Sequence, residues 1–379
     1  LTRRPHDTAV AVIGGGIAGA AACVALGRAG LETVWIAPDA EPGAHLVGES
    51  LAPAALPILE RLGLSAIVDG AAHRRSNVSF AAWGSDLLVE RNAAVHLEGP
   101  GRVLDRARFE ADLRAVADGI AERRRSALVD AATEAGRWRL GLADGSALSA
   151  GFLVDASGRS GVVARRRAAM RRDDRLVAAC AFLPHRDGNV EPTPATLIET
   201  VPDGWWYASL LPDGRLSVAC FSDPDLLPRG LSRDRDRWSA MIGRTRHVGR
   251  WIADAGFSVE TPPRLHSAGT RWADPAAGKV DGAGWAAIGD AAAAFDPLSS
   301  HGMTTALWSA ARIAEVVAAW LAGDGGPLAG YARAVTDGVD RFRGQRTALY
   351  ARERRFAGAP FWRRRVPRTA AFRGSRRAG

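Results

Sequence analysis

Lysine is almost missing from this chain. Of its 50 basic residues, Lys279 is the one lysine and the rest are arginine, a bias that fits a GC-rich genome. Cysteine is scarce as well. Cys23, Cys180 and Cys220 form no CxxC or other metal-ligand spacing, so a zinc or cluster site is not expected, and an odd, sparse set gives no disulfide framework. Such usage suits a reducing cytoplasm. Surplus charge is absent from the body. Residues 351–379 carry ten arginines and one acid, Glu353, so the other 350 residues balance at 40 basic and 40 acidic. A neutral body excludes a general nucleic-acid binder. The basic end reads as a solvated tail or as a docking strip for an acidic partner. Long apolar runs are also lacking. The stretch from Thr8 to Leu26, behind Arg3 and Arg4, imitates a signal or membrane segment, but glycines at 14, 15, 16 and 19 break it as a strand-to-helix turn would. No other window is apolar enough to span a bilayer, and there is no internal repeat.

What is present begins with VIGGGIAGAAACVALGRAGLETVWIAPD, residues 12–39. Residues 8–13 read as a buried parallel strand, 17–29 as a helix of small residues and 32–37 as the next strand, which together make one βαβ unit. Gly14, Gly16 and Gly19 fall at GxGxxG spacing in that unit, with Ala18 inside the turn. The first glycine permits the tight turn, the second lets backbone approach a pyrophosphate, and the third lets helix and strand pack closely. The helix N-terminus then offers unpaired N–H groups to the phosphates. One element is missing. The acid that normally ends the second strand and binds the adenosine ribose is Ala37, leaving Asp39, Glu41 or water to replace it.

Further along, a helix is expected near 53–62 and an amphipathic helix, entered from a strand, over 102–121. A hairpin turning at Asp144-Gly145 is expected over 137–149, and a strand running into a glycine turn over 151–161. WWYASLLPDGRLSVACF, 205–221, reads as two apolar strands around Pro212-Asp213-Gly214. Residues 171–270 therefore read as an antiparallel sheet inserted into an α/β chain. The α/β pattern returns over 285–322 as strand, loop and long helix, and another helix is expected over 329–356. In GDAAAAFDP, 289–297, Asp290 sits at a strand end and Pro297 heads a loop. Gly302 follows five residues later, so the chain from Ser299 to Met303 can aim several N–H groups at one acceptor, as a helix N-terminus does for an anion.

The ordered series GxGxxG, GES (Gly48, Glu49, Ser50), DRARFEADL with Arg106, DASG (Asp155 to Gly158) and GDAAAAFDP resembles the FAD-dependent monooxygenases of the para-hydroxybenzoate hydroxylase type. It is closest to the branch holding flavin-dependent halogenases, geranylgeranyl reductases and tryptophylquinone-maturation flavoproteins. The likeness covers nearly the whole chain and includes the ending YARERRFAGAPFWRRR. It implies a Rossmann-like FAD-binding domain in three pieces, 1–75, 99–170 and 271–328. An antiparallel substrate domain would take 76–98 and 171–270, and a helical segment with the basic tail 329–379. It implies that Arg106, Asp155, Gly289, Asp290 and the Gly302–Met303 backbone join the glycine loop around FAD, with Glu49 and Ser50 beside the isoalloxazine or its ribityl chain.

Implied chemistry is hydroxylation of an aromatic ring through a flavin C4a-hydroperoxide, with a tryptophan in an acidic partner protein as the candidate substrate. Electrons would come from NAD(P)H or from a separate flavin reductase, since the DG motif is altered to DASGRSG. Candidates for catalysis are His301, as a proton donor, with Pro297 and His45; Trp205 and Trp206 are candidates for a substrate wall, although adjacent strand residues point to opposite faces. Halogenation fits poorly. Tryptophan halogenases of this branch carry a catalytic lysine and WxWxIP, whereas residues 73–83 contain no lysine and WWYASL stands in place of the second motif. A reductase of isoprenoid double bonds and a non-enzymatic FAD-binding chaperone remain as alternatives.

Overall fold

The computed structural model describes residues 6–39, 48–93, 99–278 and 282–366. The chain divides into two units. One comprises 1–73, 104–174 and 270–340; the other comprises 74–103, 175–269 and 341–379.

The first unit is built on five parallel strands, in the order Gly284–Ala287, Ala147–Asp155, His6–Ile13, Thr33–Ile36 and Glu122–Arg124. Thr33–Ile36 and Gly284–Ala287 are buried throughout, as strands of a parallel sheet covered on both faces are, whereas the edge strand Glu122–Arg124 is charged. Helix Ile17–Arg28 is buried from Ile17 to Leu26, the pattern of a helix packed on all sides, and Gly302–Leu321 packs against it. The hairpin expected at 137–149 is present, turning through Gly145 at φ +81°. Its second strand and the strand expected from 151 are one nine-residue element, Ala147–Asp155. The first half of that element pairs with Arg137–Leu142, and the second half with Gly284–Ala287. Trp138 Nε1 donates to the Gly284 carbonyl at 2.7 Å, and the Tyr331 hydroxyl donates to the Ala287 carbonyl at 2.7 Å.

The second unit holds a seven-stranded sheet, ordered Arg264–Ser267, Val177–Leu183, Leu216–Ser222, Gly204–Leu210, Ala195–Val201, Val78–Ala82 and Val89–Asn92. Every pairing in it is antiparallel except Ala195–Val201 with Val78–Ala82, which is parallel. The two faces are covered differently. Helices Arg235–Ile242 and Val248–Asp254 bury Trp238, Ile242, Val248 and Ile252 with Trp206 and Val218. Glu199 caps the second of these helices, accepting from the N–H groups of Arg246, His247 and Val248 at 2.6–2.9 Å. On the other face Trp83, Trp205, Tyr350 and Trp362 form an aromatic cluster.

The C-terminal segment is tied to this cluster by charge. Glu353, 2% exposed, accepts from Gly84 N, Thr200 Oγ1 and Arg355. Asp223 accepts from Arg364 at 2.7 Å and from Arg365 at 2.6 Å. Up to residue 366, therefore, the basic end is no solvated tail. Arg355, Arg364 and Arg365 are paired with acids inside the second unit. Residues 367–379 lie outside the described residues. Among the described residues no helix is long and apolar enough to cross a membrane.

Candidate functional site

The register of the parallel sheet brings the site together. Ile13 is level with Asp155 and with Ile36, and Asp155 with Ala287. The glycine loop, the Asp155–Gly158 loop, Ala37 and the Gly289–Asp290 loop thus leave the sheet along one edge, the carboxyl ends of the strands, where open α/β sheets bind their ligands.

The three glycines have three different reasons. Gly14 has φ +120°, and a Cβ on it would stand 2.3 Å from the Ala156 carbonyl oxygen. Its own carbonyl is fixed by Trp35 Nε1 at 2.9 Å. A Cβ on Gly19 would stand 2.0 Å from that same carbonyl oxygen. A Cβ on Gly16 would meet nothing within 4 Å. Gly16 caps helix Ile17–Arg28 with extended backbone and no side chain, so the helix N–H groups face open space. Ala18, expected at the cofactor, has a packing role as well. Its methyl lies under Gly289, where an added Cβ would come within 2.9 Å of it and φ is +54°. Ala18 is the spacer that lets the Gly289 turn sit down on the helix.

Arg106 begins helix Arg106–Asp118, whose N-cap is Asp105, accepting from Arg108 N at 3.0 Å. The helix carries a charge ladder one turn apart. Glu110, 6% exposed, accepts from Arg106 at 2.5 Å and from Arg114 at 2.7 Å. Arg114 Nε also donates to the Gly15 carbonyl at 3.0 Å and so ties the ladder to the glycine loop. Arg106 donates to the Gly48 carbonyl beside the GES turn, where Gly48 has φ +87°. Glu49 is buried, and its Oε1 has no hydrogen-bond partner among the described residues. Such a carboxylate oxygen calls for a donor from a bound molecule.

Asp290 is held near three arginines. Desolvation by the surrounding loop pushes its carboxyl above the usual range, and Arg159, Arg271 and Arg106 act against that shift. Arg159 approaches Asp290 at 3.5 Å, and 38% of the Asp290 side chain remains open, so water screens much of the pair. Burial, then the neighbouring Arg159, lowers Arg271. Positive charge therefore exceeds negative where the loops meet.

The 296–303 loop is shaped by Asp296, fully buried, which accepts from Leu298 N at 3.0 Å and places exposed Pro297 at the head of a short 3-10 turn. Ser300 then takes φ +53°, a conformation a non-glycine residue adopts at some cost, and helix Gly302–Leu321 begins. Its first N–H groups, on Gly302, Met303 and Thr304, have no carbonyl one turn back to bond. A Cβ on Gly302 would meet nothing within 4 Å, and Thr304 Oγ1 is buried without a partner among the described residues. His301 sits at the N-cap, exposed, and its side chain does not cap the helix.

Other expectations change. Asp155 is wholly consumed by its own loop, accepting from Ser157 N and Oγ and from the N–H groups of Val163 and Ala164 at 2.5–3.0 Å. It shapes the DASG turn and has no oxygen left for a cofactor. Asp39 is exposed and paired with Arg123 at 3.3 Å and Arg125 at 3.6 Å. At the end of the second strand stands Arg123, stacked on Trp35 and donating to the carbonyls of Ala37 and Pro38. Trp205 and Trp206 do point to opposite faces, but both are packed. Trp205 stacks on Phe221 with centroids 3.9 Å apart and donates to the Tyr350 hydroxyl, while Trp206 stacks on Trp238 at 4.9 Å. Each is a core residue of the second unit, and neither serves as a substrate wall. Ser50 lies in the short strand Ser50–Leu51, half-buried. His45, Glu41 and Lys279 lie outside the described residues. Residues missed from sequence are Glu110, Arg114, Arg159 and Arg271; the 106–110–114 spacing was the available signal for the first two.

These features fit FAD. Glycine backbone with room for a pyrophosphate, an orphaned buried carboxylate oxygen at Glu49, a surplus of arginine and a long helix N-terminus match its phosphates, hydroxyls and electron-rich ring edge. Comparison with known proteins agrees. Residues 7–182 match the family described as FAD binding domain. LodB of Marinomonas mediterranea, named as an FAD-dependent oxidoreductase, is 26% identical over 93% of this chain and 95% of its own length. A tryptophan 2-halogenase of Chondromyces crocatus is 25% identical over 84% of this chain, which spans 63% of that longer enzyme. The solved structure of QhpG, a peptidyl tryptophan dihydroxylase essential for tryptophylquinone cofactor biogenesis, aligns with TM-score 0.76 and 25% identity over 95% of this chain and 78% of that one. The protein carries an FAD binding domain and is an FAD-dependent oxidoreductase, similar in fold to a group that includes a peptidyl tryptophan dihydroxylase and flavin-dependent halogenases.

Proposed function

We propose that the chain is a monooxygenase that hydroxylates an aromatic ring, and that the ring is a tryptophan side chain in a partner polypeptide. The observation that carries the reading is the likeness to QhpG over 95% of this chain and 78% of that one, joined to the absence of lysine from 73–83. FAD, when bound, would supply the oxygen-activating redox chemistry. The chain's own residues would hold it: Gly16 and the helix behind it at the pyrophosphate, Arg106 and Asp290 along the middle, Glu49 at a hydroxyl or ring nitrogen, and the Gly302–Met303–Thr304 N–H groups at the ring edge. Thr304 Oγ1 and the helix N-terminus would stabilise negative charge there. His301, exposed at the start of the helix, would exchange a proton with substrate. Electrons would come from NAD(P)H or a separate reductase.

The test is turnover of a tryptophan-containing peptide in the presence of a reductant and heavy-isotope oxygen gas. Product heavier by one or two labelled oxygen atoms, formed in step with oxygen consumption, is the expected result. A chlorinated or brominated product in the presence of halide would assign the chain to halogenation. Loss of a substrate double bond without oxygen uptake would make it a reductase.

A further inference from the structure

The second unit contains a cavity of about 530 Å³, within the size range of small-molecule and peptide side-chain sites. It opens beside the turn that joins strands Gly204–Leu210 and Leu216–Ser222. Three prolines, Pro184, Pro192 and Pro194, and the pair Leu210 and Leu211 give it apolar walls. Its charged groups are unequally provided for. Arg215 is paired with Asp213 at 2.6 Å and lies over the Phe182 ring, so both charges of that pair are spent. Glu191 is an exposed lining residue. Arg74 is different. It is half-buried, it donates to the Leu210 carbonyl, and among the described residues no carboxylate pairs with it. Its Nε is buried without a hydrogen-bond partner, as is Nε2 of His185 in the same wall. Burial lowers the Arg74 guanidinium from its ordinary value, with Tyr207 opposing. A half-buried guanidinium given one neutral carbonyl is left under-compensated, and an anion restores the balance.

We propose that this cavity binds a carboxylate carried on an apolar or aromatic body, with Arg74 as its counter-charge. The carboxylate has two sources, a free aromatic acid or an acidic side chain of a polypeptide. Neither depends on the hydroxylation reading, because binding is measured without turnover.

Calorimetric titration of the FAD-loaded protein with N-acetyl-tryptophan and with N-acetyl-tryptophanamide tests the first source. The acetylated, amidated peptide Glu-Trp-Glu against Gln-Trp-Gln tests the second. At least one acid should bind tenfold or more tightly than its neutral counterpart, since a charge-assisted bond in a half-buried site is lost with the charge. Arg74→Gln should abolish that preference and Arg74→Lys should keep part of it. Glu191→Gln, which removes a repelling charge, should tighten the acid further. The pair that shows the preference names the source. Equal binding of acid and amide in both pairs, a preference that survives Arg74→Gln with FAD still bound, or no binding of any probe would overturn the proposal.

Discussion

Gly16 and Gly19 belong to one motif, yet the structure assigns them opposite costs. Replace each by alanine. At Gly16 the backbone is extended, φ −83° and ψ −173°, and the new methyl meets nothing within 4 Å. The protein without FAD should lose about 0.5–1 kcal/mol, the difference between glycine and alanine at a helix N-cap. The methyl would nevertheless occupy the space through which a pyrophosphate reaches the helix N–H groups. Loss of even one charge-assisted hydrogen bond is worth about 1.5–3 kcal/mol, or roughly ten- to a hundredfold in affinity.

At Gly19 the methyl would stand 2.0 Å from the Gly14 carbonyl oxygen, an atom already held by Trp35. Overpacking against fixed backbone costs about 1–3 kcal/mol, offset by up to about 1 kcal/mol from alanine's better helix propensity. At Gly14 the clash of 2.3 Å with the Ala156 carbonyl adds to a φ of +120° that alanine resists, so about 2–6 kcal/mol is expected. The assay is denaturant unfolding of the apoproteins beside FAD titration by flavin fluorescence. Gly16→Ala should unfold close to the wild type and bind FAD weakly; Gly14→Ala should unfold first. Wild-type FAD affinity in Gly16→Ala, or wild-type stability in Gly14→Ala, would refute the reasoning.

Four further outcomes follow from the structure. Burial alone would raise the carboxyls of Asp223 and Glu353, but bonds from Arg365 and Arg364, and from Arg355 and Thr200, hold both below the ordinary range. Their contribution is complete above the unfolded carboxyl value near about 4 and is lost as pH falls through the lower folded values; melting curves of Asp223→Asn with Glu353→Gln should therefore depend less on pH below about 4 than those of the wild type. Asp223→Asn alone leaves Arg365, 4% exposed, without its charge partner, and should cost about 3 kcal/mol in denaturant unfolding. Trp205→Phe removes the bond to Tyr350 and part of the stack on Phe221, and should lower stability by about 1–3 kcal/mol while leaving the kcat/KM of the proposed hydroxylation unchanged. Cys23, Cys180 and Cys220 are all buried, and burial raises the thiols of Cys23 and Cys220, so a thiol-reactive dye should label none of the three until the chain unfolds.

What sequence could disclose was set by the range of the interactions. The glycine turn, the capped Arg106 helix and the Pro212-Gly214 hairpin are local, and their residues stand within one turn or one hairpin of each other. The two faces of the 204–210 strand were also legible, since strand side chains alternate. What covers those faces was not. Trp206 meets Trp238, and Trp205 meets Tyr350, which lies 145 residues away. Asp155 was misread for a related reason. A carboxylate in a DASG loop looks free in one dimension, whereas the chain returns eight and nine residues later with two N–H groups that consume it.

The same distinction decides how charge should be read. A run of arginines looks like a patch for an acidic partner, but Arg364 and Arg365 face Asp223, about 140 residues earlier, and Arg355 faces Asp86 and Glu353. Those guanidiniums already face carboxylates of their own chain, which leaves less of their charge for another protein. Arg74, in an unremarkable HRRS, is half-buried and bonded to a carbonyl, and among the described residues no carboxylate pairs with it. Recognition of an anion depends less on how many cations a segment carries than on whether folding has already neutralised them. Half-buried and without a carboxylate, a single guanidinium gains more from a ligand carboxylate than several paired ones would.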